Sequence, residues 1–479
     1  MDDSDEQNKD EVPIIVIDNK NYYINNKIDE GGYGKIYLVE GVNDHKKYAL
    51  KILKEEKNSE EDIDQFNKEI KFLGILSDKE NDLDSNYIPR IYASGNLRIG
   101  EEIYDNLAFV LDLAERGDLF LYVFNSNNGL SEKFSKFIFK KIVEGIKFCH
   151  ENFICHFDIK IENILLDNDY NPLIADFGLA EELKDSEGNI RNFSGERGTK
   201  YAMSPEMFEE GQQYSGVKAD IFSLGVLLLA MVLKKRGFRV AHDNERYKCI
   251  EDKNYEEFWN ITLDSEMVLS DEFKKLYVSM VAYEPKERPS IDQILEDPWL
   301  KEINDLKGEQ KTKFQKDYKD YMTQINNKIN GINETVDLPE DSEEKKETDS
   351  ETRGISGNGN EYFNWQLKPK KLNNRKKNYN YKYFMKMKGV INPVKFMNSL
   401  ANNINNKYKD ICFIEPSKKK LKFKVIFEKD DEASCDMNII LVEYGKEEYL
   451  VHFDRKDSNI EDFYEYFLEI KKIIKKIIE

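Results

Sequence analysis

Residues 156–178 constrain the fold and the chemistry of this chain more than any other segment. Asp158 is an acid able to take a proton from a hydroxyl, and Asn163 follows it by five residues. Asp176 comes thirteen residues later, in an Asp-Phe-Gly turn able to hold a metal. Phosphoryl transfer needs a base aimed at the incoming oxygen and oxygen ligands for magnesium between the phosphates, with little covalent chemistry from the protein. The spacing predicts a site of this kind.

Length and charge limit the class of protein. The chain has 479 residues, which is too long for one hydrophobic core, so we expect two or three domains. Its 72 Lys and Arg against 92 Asp and Glu give a net charge of −20, which argues against nucleic-acid binding. The cysteines show no paired metal-binding spacing and are interpreted as buried free thiols in a reducing compartment. They are Cys149, Cys155, Cys249, Cys412 and Cys435.

Targeting signals are not evident in the sequence. Residues 1–13 are acidic, lack the apolar core of a secretory signal and are expected to be disordered. The longest apolar run, 224–233, is far shorter than the ~20 residues that a membrane helix requires. We therefore expect no transmembrane segment and a cytoplasmic location.

The apolar pattern predicts an α+β chain with two folded parts. Short β-type runs between turn residues fill 14–53, and the pattern becomes helical after about residue 118. A charged helix and an acidic, then Gly/Ser/Asn-rich, flexible linker are predicted for 301–360. Residues 361–479 regain hydrophobic periodicity, which predicts a small α+β C-terminal domain.

Several motifs, in order along residues 29–290, resemble those of eukaryotic protein kinases. The glycine-containing turn is weak by itself, because strand-turn-strand segments with glycines are common. Together the motifs imply a bilobal catalytic domain at 14–300. Its small antiparallel β lobe with one helix would span about 14–113, and its large, mainly helical lobe about 114–300. The motifs are Asp29-Glu30-Gly31-Gly32-Tyr33-Gly34, Ala49-Leu50-Lys51, Glu69, His156-Phe157-Asp158, Asp176-Phe177-Gly178, Gly198-Thr199, Ser204-Pro205-Glu206, Asp220 and Arg288.

The resemblance implies ATP and Mg²⁺ as the ligands of this domain. Lys51, paired with Glu69, would contact the α- and β-phosphates, and Tyr33 would cap the phosphates. The backbone of Asp112 and Ala114 would bond the adenine. The nucleotide-binding residues implied are Ile28, Gly31, Gly32, Tyr33, Gly34, Ile36, Ala49, Lys51, Leu111, Asp112, Ala114, Asp118 and Leu165.

The resemblance also implies the roles of the catalytic residues. Asp158 would be the base and Lys160 would steady the transferred phosphate, while Asn163 and Asp176 would hold magnesium. Lys160 followed by Glu162 is the pattern of Ser/Thr kinases.

Other residues are implied for the activation segment, residues 176–206, and for substrate binding. Thr199 lies near the end of the segment, and Glu206 would pair with Arg288. Asp118 and Glu162 together suggest protein substrates with basic residues upstream of the acceptor.

Departures from the family pattern bear on regulation. Asp29 replaces the first glycine of the turn, and Phe157 replaces the arginine that normally grips a phosphorylated activation segment. Gly195 stands where the phosphorylated residue is usual. Losing the cation removes the charge-assisted pairing that would reward phosphorylation, so we expect activity without it, with Ser186 and Ser194 as remaining sites.

Two functions remain open for the catalytic domain. The first is a Ser/Thr protein kinase, and the alternative is a catalytically weak pseudokinase scaffold that binds nucleotide and recruits partners. The departures carry no direct chemistry in phosphoryl transfer. The residues that do are retained, which favours the enzyme: Lys51, Glu69, Asp158, Asn163 and Asp176.

Residues 368–388 reverse the charge of the chain locally. Nine of these 21 residues are basic, none is acidic, and aromatic residues are interleaved with them. A lone basic run is about as often a solvated linker as a functional site. The functional alternative is attraction to anionic membrane lipids, worth ~1 kcal/mol per basic residue near the surface. This would add peripheral membrane attachment to the cytoplasmic location.

The pattern after Pro393 is a helix, four strand-like runs and a terminal amphipathic helix. This order, at the C-terminus of a kinase, resembles the kinase-associated domain of the microtubule-affinity-regulating kinases. The resemblance implies binding of acidic phospholipids and autoinhibition of the catalytic domain. The apolar face of the last helix is also typical of an ordinary core; it carries Phe463, Phe467, Ile470, Ile474 and Ile477.

Overall fold

A computed structural model gives the architecture of the chain, which divides into two units at 1–329 and 330–479. Each unit is described separately. The structure describes residues 14–30, 34–54, 59–80, 86–99, 102–235, 237–238, 240–242, 244–263, 267–331, 335–337, 370–371, 384–388, 393–408, 412–416, 422–429, 432–445, 448–455 and 460–478.

The first lobe of the first unit is a closed antiparallel barrel with one helix. Its strands follow the order β1-β2-β3-β4-β6-β5, and β1 closes the barrel by pairing with both β2 and β5. Tyr22, Val39, Leu50, Ala108 and Val110 are among the side chains buried in its core. The elements are β1 (Ile14–Ile17), β2 (Lys20–Glu30), β3 (Gly34–Gly41), β4 (Lys47–Leu53), α1 (Glu60–Glu80), β5 (Ile91–Ile99) and β6 (Glu102–Asp112).

The second lobe is mainly helical, as the sequence predicts. Its helices are α2 (Leu119–Asn125), α3 (Glu132–Glu151), α4 (Gly216–Leu233), α5 (Glu245–Glu251), α6 (Tyr255–Thr262), α7 (Asp271–Met280), α8 (Ile291–Leu295), α9 (Lys301–Asn304) and α10 (Gly308–Gly331). Short strand pairs shape the loops near the other lobe: β7 (Ile154–Cys155) with β10 (Glu181–Glu182), and β8 (Ile164–Leu166) with β9 (Pro172–Ile174).

Helix α4 is apolar along most of its length. It is long and apolar enough to cross a membrane by composition, but 89% of the qualifying stretch is buried inside this lobe. Apolar residues on every side are typical of a core helix surrounded by protein. We therefore interpret α4 as the centre of the helical lobe.

Helix α10 differs from the sequence expectation. It was predicted as a charged helix leading out of the catalytic domain, but it packs against the helical lobe through Phe314, Tyr318, Met322 and Ile325, all buried. The Tyr318 hydroxyl donates to the main-chain oxygen of Tyr170 at 2.6 Å. The spacing of four, four and three residues places these side chains on one face. The lobe therefore extends beyond residue 300.

Among its described residues, the second unit forms a mixed sheet and two helices. The sheet order is β11-β13-β17-β16-β15-β14, and β12 pairs with β16. The elements are β11 (Thr335–Asp337), β12 (Lys370–Lys371), β13 (Phe384–Lys388), α11 (Pro393–Lys407), β14 (Cys412–Pro416), β15 (Lys422–Lys429), β16 (Glu432–Gly445), β17 (Glu448–Arg455) and α12 (Ile460–Ile478).

The core of the second unit lies between its helices and the sheet. The Phe453 and Phe467 rings meet edge to face at 4.9 Å, and Phe427 stacks on Tyr466 at 3.6 Å. The apolar residues Met437, Ile439 and Leu441 alternate along β16 and are buried, and Asn438 between them is buried as well. Two short stretches of the basic segment form β12 and β13, which the sequence did not predict. The expected disorder of 1–13 lies outside the described residues, as does most of the flexible linker expected at 334–360.

Candidate active site

One buried carboxylate binds the backbone of the loop between β7 and β8. Asp220, on α4, accepts hydrogen bonds from the backbone N–H groups of His156 and Phe157, both at 2.9 Å. His150 Nε2 lies 2.8 Å from the same carboxylate, a partner that the sequence analysis did not identify. His150, Cys155 and Asp220 lie close enough to hold a metal. Because Asp220 already binds loop backbone, we interpret the group as structural.

Asp158 lies at the centre of a hydrogen-bonded group. Its carboxylate accepts from Lys160 Nζ at 2.8 Å, from the Thr199 hydroxyl at 2.6 Å and from Asn163 Nδ2 at 2.9 Å. Lys160 Nζ also donates to the Thr199 hydroxyl at 2.8 Å. Asp158, Lys160 and Asn163, expected on one loop, lie together, and Thr199 of the activation segment joins them. The Asp158 carboxylate is therefore held in position by three donors.

The environment of Asp158 keeps it ionised. Burial alone would raise its pKa, but the Lys160 charge and the hydrogen bonds from Lys160 and Thr199 outweigh burial, so the pKa is lowered. The same carboxylate raises the pKa of Lys160 against the effect of burial. Both groups are charged at neutral pH, so Asp158 is available as an acceptor and Lys160 as a cation.

Lys51 joins both lobes at the opposite side of the cleft. Its Nζ lies 2.6 Å from Glu69 Oε2 on α1 and 3.8 Å from Asp176 Oδ1. Burial would lower the pKa of Lys51, but the Glu69 and Asp176 carboxylates raise it, so the ammonium stays charged. The predicted Lys51–Glu69 pair is thus formed, with a positive charge facing the cleft.

An unusual backbone conformation occurs in the Asp-Phe-Gly turn and in the loop beside it. Asp176 and Phe157 have φ of +66° and +61°, a region that non-glycine residues seldom adopt. The Phe177 ring packs against His156 at 4.8 Å between centroids, while the Asp176 side chain is 48% exposed. Asn163 gives its Nδ2 hydrogens to the Asp158 carboxylate and main-chain oxygen, so its amide oxygen is the atom that could bind a metal. Oxygen donors from Asn163 and Asp176 suit Mg²⁺.

The barrel presents a set of half-buried residues to this cleft. In β4, Tyr48 and Leu50 point into the barrel core, while Ala49 and Lys51 lie on the other face. Ala49 pairs with Leu111 in β6. Half-buried side chains at the predicted adenine positions are Ile28, Ile36, Ala49, Leu111, Asp112, Ala114 and Leu165. They come from both lobes, since Leu165 lies in β8 and the others lie in or next to the barrel.

The glycine turn is described only in part. Gly31, Gly32 and Tyr33 lie outside the described residues, and Gly34 begins β3. A side chain at Gly34 would come 3.1 Å from the Lys51 Cγ and from the Ile52 main-chain oxygen. A side chain there would therefore crowd Lys51 and the Ile52 main chain unless one of them shifted.

Two predicted substrate residues have structural partners. The Asp118 carboxylate is buried and caps α2 by accepting from the Leu121 N–H at 3.0 Å, so ribose or substrate contact is not its evident role. Glu162 accepts from the Tyr201 hydroxyl at 2.9 and 2.7 Å. Sequence reasoning missed Tyr201, although its place two residues after Thr199 is a usable signal.

A buried ion pair closes the activation segment against the helical lobe. Arg288, fully buried, binds Glu206 through both terminal nitrogens at 2.6 and 2.7 Å, as predicted. Its remaining N–H groups donate to the main-chain oxygens of Ala282, Tyr283 and Lys218. All five guanidinium donors are satisfied, which is the condition under which a buried pair is tolerated.

Arg288→Met should lower the free energy of unfolding by about 3–5 kcal/mol, because it leaves the Glu206 carboxylate buried and unpaired. Urea unfolding of the catalytic unit measures this. Lys286→Met is the control, since the Lys286 side chain is 80% exposed. Equal midpoints for the two variants would contradict the role given to Arg288.

Phe157, which replaces the expected arginine, packs in an apolar cluster under the activation segment. Its ring meets Phe193 edge to face at 4.8 Å, and Tyr214 lies 6.4 Å away. Phe193 and Tyr214 also exchange backbone hydrogen bonds of 2.9 and 2.8 Å. Cys155, Leu183, Met203 and Met207 are buried in the same cluster. Apolar packing therefore fills the place where a charge was expected.

The two-lobed fold with this cleft defines a phosphoryl-transfer class of protein. Comparison with known families agrees: the protein kinase domain matches residues 22–300, more than half of the chain. The chain belongs to the protein kinase family.

Curated relatives match the same part of the chain. A probable serine/threonine-protein kinase MARK-B of Dictyostelium discoideum is 29% identical over 294 residues, 60% of this chain and 37% of that protein. Serine/threonine-protein kinase PLK2 of Rattus norvegicus is 27% identical over 289 residues, 60% and 38% of the two chains. A carbon catabolite-derepressing protein kinase of Candida glabrata is 29% identical over 282 residues, 59% and 42%. The chain thus spans about two fifths of the relatives that it matches.

Proposed function

We propose that this chain is a Ser/Thr protein kinase that transfers the γ-phosphoryl group of ATP to serine and threonine hydroxyls of proteins. One observation carries the proposal: Asp158, Lys160, Asn163 and Thr199 are hydrogen-bonded to one another. The Thr199 hydroxyl donates to Asp158, which supports the proposal that a substrate hydroxyl would donate to the same carboxylate. The Ser/Thr names of the relatives and the Lys160–Glu162 pattern support the acceptor class.

In this proposal, some residues position the substrate hydroxyl and others stabilise negative charge on the transferred group. Asp158 accepts the proton of the attacking hydroxyl and aims its oxygen in line with the transferred group. Lys160, held charged beside it, stabilises negative charge on that group, and Lys51 does so from the other lobe. Mg²⁺, held by Asn163 and Asp176, would neutralise charge between the phosphates. Nearly all of the catalysis proposed is positioning and electrostatics.

The acceptor class is tested with peptides that differ only at one position. Transfer from labelled ATP to matched Ser, Thr and Tyr peptides should be measured with the full chain. We expect transfer to Ser and Thr and little to Tyr. ATP binding with no transfer to any peptide would instead support the pseudokinase scaffold.

We also propose that activation does not require phosphorylation of the activation segment. Phe157 and its aromatic neighbours hold the segment by apolar packing, which needs no phosphate. Changing Ser186 and Ser194 together to alanine should leave peptide phosphorylation within about twofold of the unmodified chain, since surface substitutions usually change little. Loss of catalysis in this variant, with unchanged thermal unfolding, would refute the proposal.

A preference for basic residues upstream of the acceptor is proposed on Glu162. Asp118, its expected partner, is committed to the α2 cap, so the preference should be modest. Glu162→Gln should reduce discrimination between peptides with arginine and alanine upstream, with kcat for the alanine peptide unchanged. Equal discrimination in both enzymes would remove Glu162 from substrate binding.

For the second unit, we propose a regulatory domain of the kinase-associated kind, which binds anionic lipids and inhibits the catalytic unit. Support comes from the order helix α11, strands β14–β17 and helix α12, and from the basic segment 368–388. We further propose a cytoplasmic enzyme with peripheral membrane attachment, which agrees with the free thiols of Cys149, Cys155 and Cys249.

Vesicle experiments test the regulatory role. Sedimentation of the full chain with vesicles containing phosphatidylserine, compared with phosphatidylcholine alone, measures lipid binding. Residues 1–331, which retain α10, should phosphorylate peptide faster than the full chain without vesicles. Equal rates and no sedimentation would make the second unit a partner-binding or purely structural domain.

A further inference from the structure

A carboxylate outside the catalytic group lies where α1 meets the activation segment. Glu181, in β10, has a side chain that is 15% exposed and is surrounded by cations. Lys68 Nζ lies 3.1 Å and Arg197 NH1 3.4 Å from its Oε1, and Arg191 NH1 lies 3.7 Å from its Oε2. Three positive side chains thus converge on one partly buried negative charge.

These cations come from the two elements whose positions decide activity. Lys68 precedes Glu69 on α1, and Glu69 binds Lys51. Arg191 and Arg197 belong to the activation segment, and the Thr199 N–H donates to Asp158 at 3.0 Å two residues after Arg197. Glu181 therefore connects both sides of the active site through one carboxylate.

Aromatic packing fixes the arginines beside Glu181. The guanidinium carbons of Arg191 and Arg197 lie 4.8 and 5.8 Å from the Phe193 ring centroid, within cation–π range. Phe193 in turn packs on Phe157. Both guanidinium groups are therefore oriented before any ligand or modification is added.

The charges here come from other residues than in a phosphate-binding activation segment. In such a site the protein core supplies the cation and the activation segment supplies the anion, as a phosphate. Here Phe157 replaces that core cation, and the activation segment supplies both the anion, Glu181 of β10, and two arginines, while α1 supplies Lys68. Lys68 is also paired with this anion, and its pKa is raised by Glu181 against the effect of burial.

We propose that Glu181 is a positioning residue: a permanent charge that ties the activation segment to α1 and takes the place of an activating phosphate. The proposal rests on the proposed kinase activity. Glu181 would position the Lys51–Glu69 pair through Lys68, and the Thr199–Asp158 contact through Arg197. Loss of the charge should therefore lower kcat more than it raises KM for peptide.

Glu181→Gln in the full chain tests the charge with little change of shape. We expect kcat to fall roughly 10-fold, the size of effect that loss of charge-assisted hydrogen bonds produces. Glu182→Gln is the matched control. Glu182 is the next residue in β10, and its more exposed side chain pairs with Lys71 at 2.6 Å. That control should retain kcat within about twofold.

A chemical variant separates charge from structure. Glu181→Cys can be alkylated with iodoacetate, which adds a carboxylate, or with iodoacetamide, which adds a neutral group of nearly the same size. The alkylated parent chain controls for its own thiols. We expect the carboxylate adduct to recover most of the kcat lost on substitution and the amide adduct to recover little.

The outcomes separate this inference from the proposed activity. A parent chain that transfers no phosphate overturns the kinase proposal itself. An active parent with an equally active Glu181→Gln variant overturns only the role of Glu181. Equal activity of the two adducts would show that size, and not charge, matters there. Loss of parent activity after phosphatase treatment would show that a phosphate is needed after all.

Discussion

Asp158→Asn should lower kcat for peptide phosphorylation by about 10²–10⁴-fold, the range that a positioned acid or base contributes. The amide keeps the size of the side chain but cannot accept a proton from the hydroxyl. It also cannot balance the charge of Lys160, whose Nζ lies 2.8 Å away. Steady-state assays at saturating ATP and peptide measure the loss.

ATP affinity is the control for this substitution. The nucleotide is expected to bind Lys51 and the barrel, which do not contact Asp158, so the dissociation constant for ATP should change by less than about threefold. A variant that keeps more than a tenth of the parent kcat would show that Asp158 is not the group that receives the hydroxyl.

The pH dependence of the parent follows from the same contacts. Because Lys160 and Thr199 lower the pKa of Asp158, its protonation, and the loss of activity that follows, should lie below the usual carboxylate range. Between neutral pH and the usual carboxylate range, kcat should therefore show no decline due to Asp158. A decline with a midpoint near pH 6 would assign the base to another group.

The catalytic group was predictable from the sequence because its members are close in the chain or belong to recurring motifs. Asp158, Lys160 and Asn163 lie on one loop, whose short spacing already limits how far apart they can be. The Lys51–Glu69 and Glu206–Arg288 pairs are distant in sequence, and only the resemblance indicated them. The structure forms both pairs.

What could not be predicted depends on tertiary contacts without a local pattern. Strand β5 is interrupted by Gly95, Asn96 and Arg98, which hide its alternation. Glu181 looks like an ordinary surface acid until folding brings Arg191 and Arg197 to it. Phe157 was recognised as a departure, but the aromatic partners that replace the lost arginine come from elsewhere in the chain.

The packing of helix α10 against the catalytic lobe is the largest difference between expectation and structure. The charged composition of the helix explains why this packing was not expected. Its sequence is rich in lysine and polar residues, so its overall hydropathy is low. Tyrosine carries much of the contact: Tyr318 bonds the Tyr170 backbone, Tyr321 accepts from the Ser131 N–H at 3.0 Å, and Phe134 packs against Tyr321 at 4.7 Å. Tyrosine buries a large ring and still satisfies its hydroxyl.

Removing α10 should therefore destabilise the catalytic unit, although the kinase family match ends at residue 300. Residues 1–307 should unfold at a lower urea concentration than residues 1–331, because deletion exposes the apolar surface under four buried side chains, each worth about 1.5–3 kcal/mol. The entropy regained by the freed segment offsets part of this. Peptide phosphorylation should weaken as well. The Tyr122 hydroxyl, on α2 close to the proposed adenine-binding residues, donates to Asn326 of α10 at 2.9 Å.

A single substitution separates packing from the mere presence of the helix. Tyr318→Ala in residues 1–331 should lower the free energy of unfolding by about 3 kcal/mol. The substitution leaves a cavity in place of the buried ring and removes the donor to the Tyr170 main-chain oxygen. Lys316→Ala, exposed on the same helix, should change the unfolding midpoint little. If residues 1–307 and 1–331 unfold at the same urea concentration, α10 contributes nothing to the lobe. If Tyr318→Ala alone reproduces most of the deletion, this tyrosine is the principal link between the helix and the kinase fold.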